Sequence, residues 1–270
     1  MNPAARTITP PADGRLGLGL LLALTFSTGI VDAVGIIGLD GVFTGNMTGN
    51  VVLIGISLVS QTAQPTLGLG VALAGFVLGA VAGGRVLRRA ARGWSAPVCW
   101  ILGTTAVLLT ACAGSLLAVR EPGIELVTAI TGVLAMAMGL QAAAARHVGV
   151  KDLSTVVVTS TLTGLAADSR LGRQDGQLWF RRVTAIGMIG LGALVGAGLT
   201  ILHLAAGIGL SLVVTITVVW VAALRLIPRP GDGPASMTEA GASTASAEFP
   251  EGEAAQTAET LALPVPEGIR

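Results

Sequence analysis

The stretch GVFTGNMTGN, residues 41–50, lies between two long apolar runs. It has too little charge for a loop in water and too few apolar side chains for a helix wall facing lipid. Two copies of Thr-Gly-Asn, separated only by Met47, concentrate flexible backbone and hydrogen-bonding side chains in one place. Whether this stretch and the apolar residues after it cross a membrane or turn back decides how many spans the chain has.

The surroundings favour a membrane. Apolar residues make up 52% of the chain and charged ones 11%, and mean hydropathy is +0.79, far from soluble-domain values. The net charge of +1 offers no global field with which to attract nucleic acid, and none is expected as a partner. Runs long enough to cross a bilayer, about 20 residues, occur at 16–38, 66–84, 96–118, 123–145, 183–203 and 205–227. Two shorter runs, 42–59 and 153–167, remain.

Positive charge decides between the counts. If both short runs dip in and return on the same side, the Lys and Arg residues from Arg6 to Arg229 all share one side except Arg120. If both cross, the same residues divide nine against six. The six-span arrangement therefore predicts an all-α polytopic membrane protein of the bacterial inner membrane with both termini in the cytoplasm. The first run is too long for a signal-peptide core, carries Asp32 and lacks an Ala-x-Ala cleavage pattern, so it is expected as a retained span. Residues 1–15 form a cytoplasmic lead-in. Residues 228–270, with seven acidic residues against two basic ones and six prolines, have the composition of a disordered tail.

An internal echo divides the membrane domain, 16–227. Thr44, Thr48 and Gly49 recur as Thr159, Thr163 and Gly164 at an offset of 115 residues, and Thr161 falls within the second copy. The span after each copy carries small residues at helix-contact spacing, Gly75, Gly79 and Gly83 in the first half and Gly192 and Gly196 in the second. Two three-span repeats follow, about 16–118 and 123–227, each with a short broken or re-entrant segment. An odd number of spans inverts one repeat relative to the other, as in many secondary transporters.

This reading gives residues 41–50 a role. Non-helical backbone at membrane depth survives only where protein or a wet cavity surrounds it. Gly41, Gly45 and Gly49 permit the unwinding, and Thr44, Asn46, Thr48 and Asn50 can bond the freed backbone or a solute. A half-helix over 51–59 would point its N-terminus inward, toward an anion or the negative end of a dipole. The plainer alternative is a tight turn capped by the asparagines. Asp32, midway along the first span, is a candidate proton carrier or cation ligand, or else a hydrogen-bonded tie between helices. Gln141 follows Gly139 much as Asp32 follows Gly29, and is a candidate uncharged counterpart.

The run from Gly29 to Asn50, GIVDAVGIIGLDGVFTGNMTGN, resembles the signature of the YoaK-like family of bacterial inner-membrane proteins, a domain of unknown function. The later GLQ at 139–141 and TSTLTG at 159–164 resemble that family's second block, with Ala142 and Ser160 where Asn and Gly are expected. The likeness covers about 16–227 and implies a six-span membrane protein without supplying a substrate.

The resulting expectation is a secondary transporter of a small polar or anionic solute or an ion, proton-coupled through Asp32. A non-transporting scaffold or partner subunit, or a channel-like pore, is the alternative, and a homodimer joined through the glycine stripes would help six spans enclose a path. With no Gly-x-Ser-x-Gly elbow, no His-Glu-x-x-His pair and no carboxylate dyad, an enzyme is not expected, nor is a cofactor or metal. Cys99 and Cys112 are about 20 Å apart along one helix and are read as core residues.

Overall fold

A computed structural model describes residues 12–39, 41–60, 66–119, 121–149, 163 and 179–227. Asp40, Thr159, Thr161, Gly164, most of the second short run and the tail lie outside them. The seven helices delimited are α1 (Ala12–Gly38), α2 (Met47–Ser60), α3 (Thr66–Leu87), α4 (Ala96–Ala118), α5 (Ile124–Val148), α6 (Trp179–Leu202) and α7 (Leu204–Arg225). All but α2 are long and apolar enough to cross a membrane. The helices begin and end within a few residues of the apolar runs, because hydrocarbon leaves the backbone no partner but itself.

Boundaries follow local chemistry. Pro97 sits in the first turn of α4, where its missing N–H is no loss. Gly149 closes α5 at φ 71°, a left-handed cap that favours glycine. Between α6 and α7 the chain straightens for one residue, His203, whose Nδ1 accepts the Ala205 N–H at 3.1 Å. Hydroxyls inside the spans mostly bond back to the carbonyl one turn earlier, as Thr25 does to Leu21, Thr131 to Val127 and Thr215 to Ser211. That keeps them from being unsatisfied in an apolar interior.

Two core layers mark the two ends of the bundle. In one, Leu20 and Leu24 of α1 meet Leu87 at the end of α3, Val98 at the start of α4, Ala144 near the end of α5 and Ala222 of α7. In the other, Ile30 and Val34 meet Leu116 of α4, Val127 of α5 and Ile208 of α7. So α1 and α4 run one way, and α3, α5 and α7 run the other. The direction of α6 comes from its contacts with α1: Gly192 abuts Phe26 and Gly196 abuts Ile30, which makes the two helices parallel.

The most extensive pairings are α3 on α5 and α1 on α6. Both are parallel, and both close over glycines. A Cβ on Gly79 would strike the Met136 carbonyl, and one on Gly139 would strike the Phe76 carbonyl. Gly192 meets the Phe26 carbonyl and Gly29 the Ile189 carbonyl in the same way. Such backbone-to-backbone approach is what small residues allow where no hydrophobic effect drives helices together. The remaining pairings include α4 on α7, α1 on α7, α4 on α5, α6 on α7, and lighter contacts of α1 with α5 and α3 with α4. Exchanging α1 with α5, α3 with α6 and α4 with α7 turns each pairing among these six helices into itself or into another that is also present.

Candidate functional site

After Gly38 the chain reverses. Gly41, at φ 74°, adopts the left-handed backbone that a sharp reversal requires. The Val42 N–H then donates back to the Gly35 carbonyl at 3.3 Å. The approach is close enough that a Cβ on Gly35 would collide with the Val42 carbonyl, so the returning strand lies directly on α1.

This return brings residues 44 and 45 down to Asp32. Its Oδ1 accepts the Thr44 N–H at 3.0 Å, the Gly45 N–H at 2.6 Å and the Thr44 hydroxyl at 3.3 Å. Asp32 is 9% exposed and Thr44 fully buried. Six residues separate Asp32 from the end of α1, so the meeting point lies about 9 Å inside that end. Gly45 is required here for space, since a Cβ would stand 2.9 Å from the Thr28 methyl and 3.4 Å from Asp32 Oδ1.

The rest of the motif divides between inside and outside. Asn50, fully buried, brackets the backbone of Phe43: its Nδ2 donates to the carbonyl at 2.6 Å and its Oδ1 accepts the N–H at 2.9 Å. Asn46 and Thr48 are exposed. Asn46 caps α2, its Oδ1 accepting the Gly49 N–H at 3.4 Å. The helix therefore starts at Met47, four residues earlier than the apolar run at 51 suggested. Gly49 belongs to its first turn rather than to the unwound stretch, and a Cβ there would meet the Phe43 ring at 2.7 Å. From this inner start α2 runs outward along α3. Leu53 and Ile54 pack near Leu69 and Ala72, and Ser57 Oγ accepts the Thr66 hydroxyl at 3.3 Å. Its other face, with Val52, Leu58 and Val59, is exposed.

A second polar group adjoins the first one turn back along α1. Gln141 of α5, 1% exposed, donates through Nε2 to Thr28 Oγ1 at 3.0 Å and to the Leu24 carbonyl at 3.2 Å. The carbonyl can only accept, so it fixes which end of the amide faces α1. The amide Oε1 is then left buried without a hydrogen-bond partner. Thr28 links the groups, bonded to Gln141 and in contact with Gly45. Nearby on α1, the Ser27 and Ser211 hydroxyls share a hydrogen bond of 2.6 Å that joins α1 to α7.

Asp32, Thr44 and Gln141 are thus gathered around α1, with Asn50 immediately behind. Thr163 is helical and exposed. Gly29 lies against the Ile189 carbonyl and Gly139 against the Phe76 carbonyl, and the residues three positions after them are Asp32 and Ala142. Gly79 and Gly192 likewise each lie against a carbonyl, those of Met136 and Phe26. Sequence reasoning missed Ser27, Thr28 and Ser211. The available signal was Thr28 just before Gly29, a hydroxyl on the helix face that also carries Asp32 one turn later.

The donors and acceptors of the cluster are unequally used. The N–H groups of Thr44 and Gly45, which an anion would need, are taken by Asp32. Among the described residues, the polar atom the cluster leaves over is an acceptor, Gln141 Oε1. Such a surplus suits a proton, a cation or a hydrogen-bond donor.

Residues 20–222 match the family described as "Protein of unknown function (DUF1275)". The UPF0700 transmembrane protein YoaK of Bacillus subtilis (strain 168) is 31% identical over 166 residues, 60% of this chain and 69% of that protein. No solved structure matches the chain. The signature around Asp32, the six apolar spans and these two matches agree: the chain is an integral membrane protein that belongs to the YoaK-like DUF1275 family.

Proposed function

We propose that this protein is a secondary transporter of a small cation or neutral polar solute, coupled to protons or the solute ion through Asp32. The observation that carries the reading is a buried carboxylate held against unwound backbone about 9 Å inside the membrane domain. An intramembrane carboxylate is expensive to keep without a task, and broken segments meeting near the midplane are how inverted-repeat transporters build their sites. Two further features support that plan. The helix pairings are unchanged when α1, α3 and α4 are exchanged with α5, α6 and α7, and this exchange reverses every helix direction. The chain also turns inward after α1, and α2 then runs outward along α3, whose first residue lies at that same end, as in a re-entrant segment. Of the solute classes open at the sequence level, an anion is the least suited, because Asp32 already fills the place an anion would take.

One feature favours a second reading, a non-transporting partner subunit. The Thr44 and Gly45 N–H groups and the Thr44 hydroxyl all bond Asp32 Oδ1, and both ends of the Asn50 amide hold Phe43. A cluster built only to pin a turn would do the same. Flux in proteoliposomes separates the two. Wild type and Asp32→Asn are compared across cations, neutral metabolites and anions, with and without a pH gradient. Asparagine keeps the acceptor that Thr44 and Gly45 need, so the fold persists. A gradient-dependent signal lost in the variant supports coupled transport, whereas silence from correctly inserted wild type supports the partner subunit.

A further inference from the structure

At the end of the bundle where α3 and α5 both finish, a cavity of about 720 Å³ opens between them. Its α3 wall is a single row four residues apart: Phe76, Ala80, Gly84 and then Arg88. The α5 wall makes the same transition, from Ala143 to Arg146 and His147. Arg92, from the loop after α3, completes the mouth. One end of the cavity is apolar, lined by Phe76 and small residues, and the other is cationic. No carboxylate lines it among the described residues.

The mouth is held in shape from within. The His147 Nε2 donates to the Ala91 carbonyl at 2.8 Å, tying the last turn of α5 to the loop that carries Arg92. Arg88, Arg92 and Arg146 are all exposed. No carboxylate among the described residues pairs with them, so their charge is directed at whatever enters. Along the row, Phe76 and Arg88 are about 18 Å apart at helical rise, against about 15 Å for one leaflet of a hydrocarbon core. The groove therefore spans from near the bilayer centre to the level of the head groups. A free phosphate would need only the mouth, and the apolar depth would be left without an occupant.

We propose that this groove is a binding site for one phospholipid with an anionic head group. An acyl chain lies along Phe76, Ala80 and Gly84, and the phosphate is held by Arg88, Arg92 and Arg146. Basic pockets between membrane helices recognise anionic head groups by this pairing of charge and chain. The site is separate from the Asp32 cluster and does not depend on the transport reading.

The test uses the full-length chain, purified and delipidated in neutral detergent, with phosphatidylglycerol, phosphatidylcholine and inorganic phosphate as probes. Binding is read by native mass spectrometry and by Tm. Phosphatidylglycerol is expected to bind one per chain and raise Tm, with phosphatidylcholine and phosphate doing neither. The Arg88→Gln, Arg92→Gln, Arg146→Gln triple variant is expected to bind about a hundredfold more weakly, about fivefold per arginine. Gly84→Leu tests the chain end without touching charge. A Cβ at Gly84 meets nothing within 4 Å, so the side chain enters the groove and not a helix contact. It is expected to weaken binding at least tenfold while Tm without lipid holds. Three results would overturn the proposal: equal stabilisation by phosphate or phosphatidylcholine, unchanged phosphatidylglycerol binding in the triple variant, or unchanged binding in Gly84→Leu.

Discussion

Asp32 illustrates how one buried side chain sets the geometry around it. A carboxylate in an apolar helix needs donors, and a backbone forced out of helical pairing has donors to spare. Each answers the other's requirement at Thr44 and Gly45. Replacing Asp32 with Ala removes the acceptor and leaves two buried N–H groups unmatched, a loss of about 2–4 kcal/mol. Thermal unfolding in detergent should register it plainly, whereas Asp32→Asn should unfold within a few degrees of wild type. Asn50 belongs to the same scale. Its amide stands in for a β-bridge to Phe43, pairing both backbone groups of a residue that has no strand neighbour. Asn50→Ala is expected to destabilise by about 2 kcal/mol, whereas alanine at the exposed Thr48 should leave Tm unchanged. Equal effects of the two would mean that Asn50 is not what holds the turn.

At the scale of the helices, glycine does two different jobs. Gly79 is spent on contact, with the Met136 backbone against its Cα, while Gly84, five residues on, faces open space. Alanine at the two positions should therefore act in opposite directions. Gly79→Ala forces α3 off α5 and is expected to cost about 2 kcal/mol. Gly84→Ala gains helix propensity of up to about 1 kcal/mol and disturbs nothing. Gly192→Ala should behave like Gly79→Ala, because it occupies the equivalent place in the α1–α6 pairing, against the Phe26 carbonyl. Detergent unfolding of the three single variants settles this. A Gly192→Ala protein as stable as Gly84→Ala would show that the Phe26 contact does not hold α6 on α1.

Across the whole molecule, helix directions make a statement about sides. The ends of α3, α5 and α7 and the beginnings of α1, α4 and α6 share one face of the bundle, and Trp94 packs near Gly17 there. In a background without Cys99 and Cys112, a cysteine at Arg89 and one at Glu121 are then expected to react with an impermeant maleimide from opposite sides. On the positive-inside reading Arg89 is labelled only in inside-out vesicles, and Glu121 only in intact cells. Labelling of both from one side would refute the six-span arrangement.

Apolar length and charge placement were enough to predict six spans and a turn near residue 41, because hydrocarbon penalises every unpaired backbone group and every stray arginine in the same way whatever the fold. The glycine spacing likewise announced which spans approach closely. It did not say which partner each would meet: α3 pairs with α5 and α1 with α6, across the two halves, and periodicity carries no address. Residue patterns also did not say what Asp32 would meet. That its Oδ1 lies on the backbone N–H groups of residues 44 and 45 depends on how far the chain returns after Gly41. Gln141 was singled out by its distance from a glycine, and only the packing shows that its amide reaches Thr28 and the Leu24 carbonyl of α1. Composition is a property of the chain and survives any folding, whereas partners are fixed by register between surfaces, and register exists only once the helices have packed.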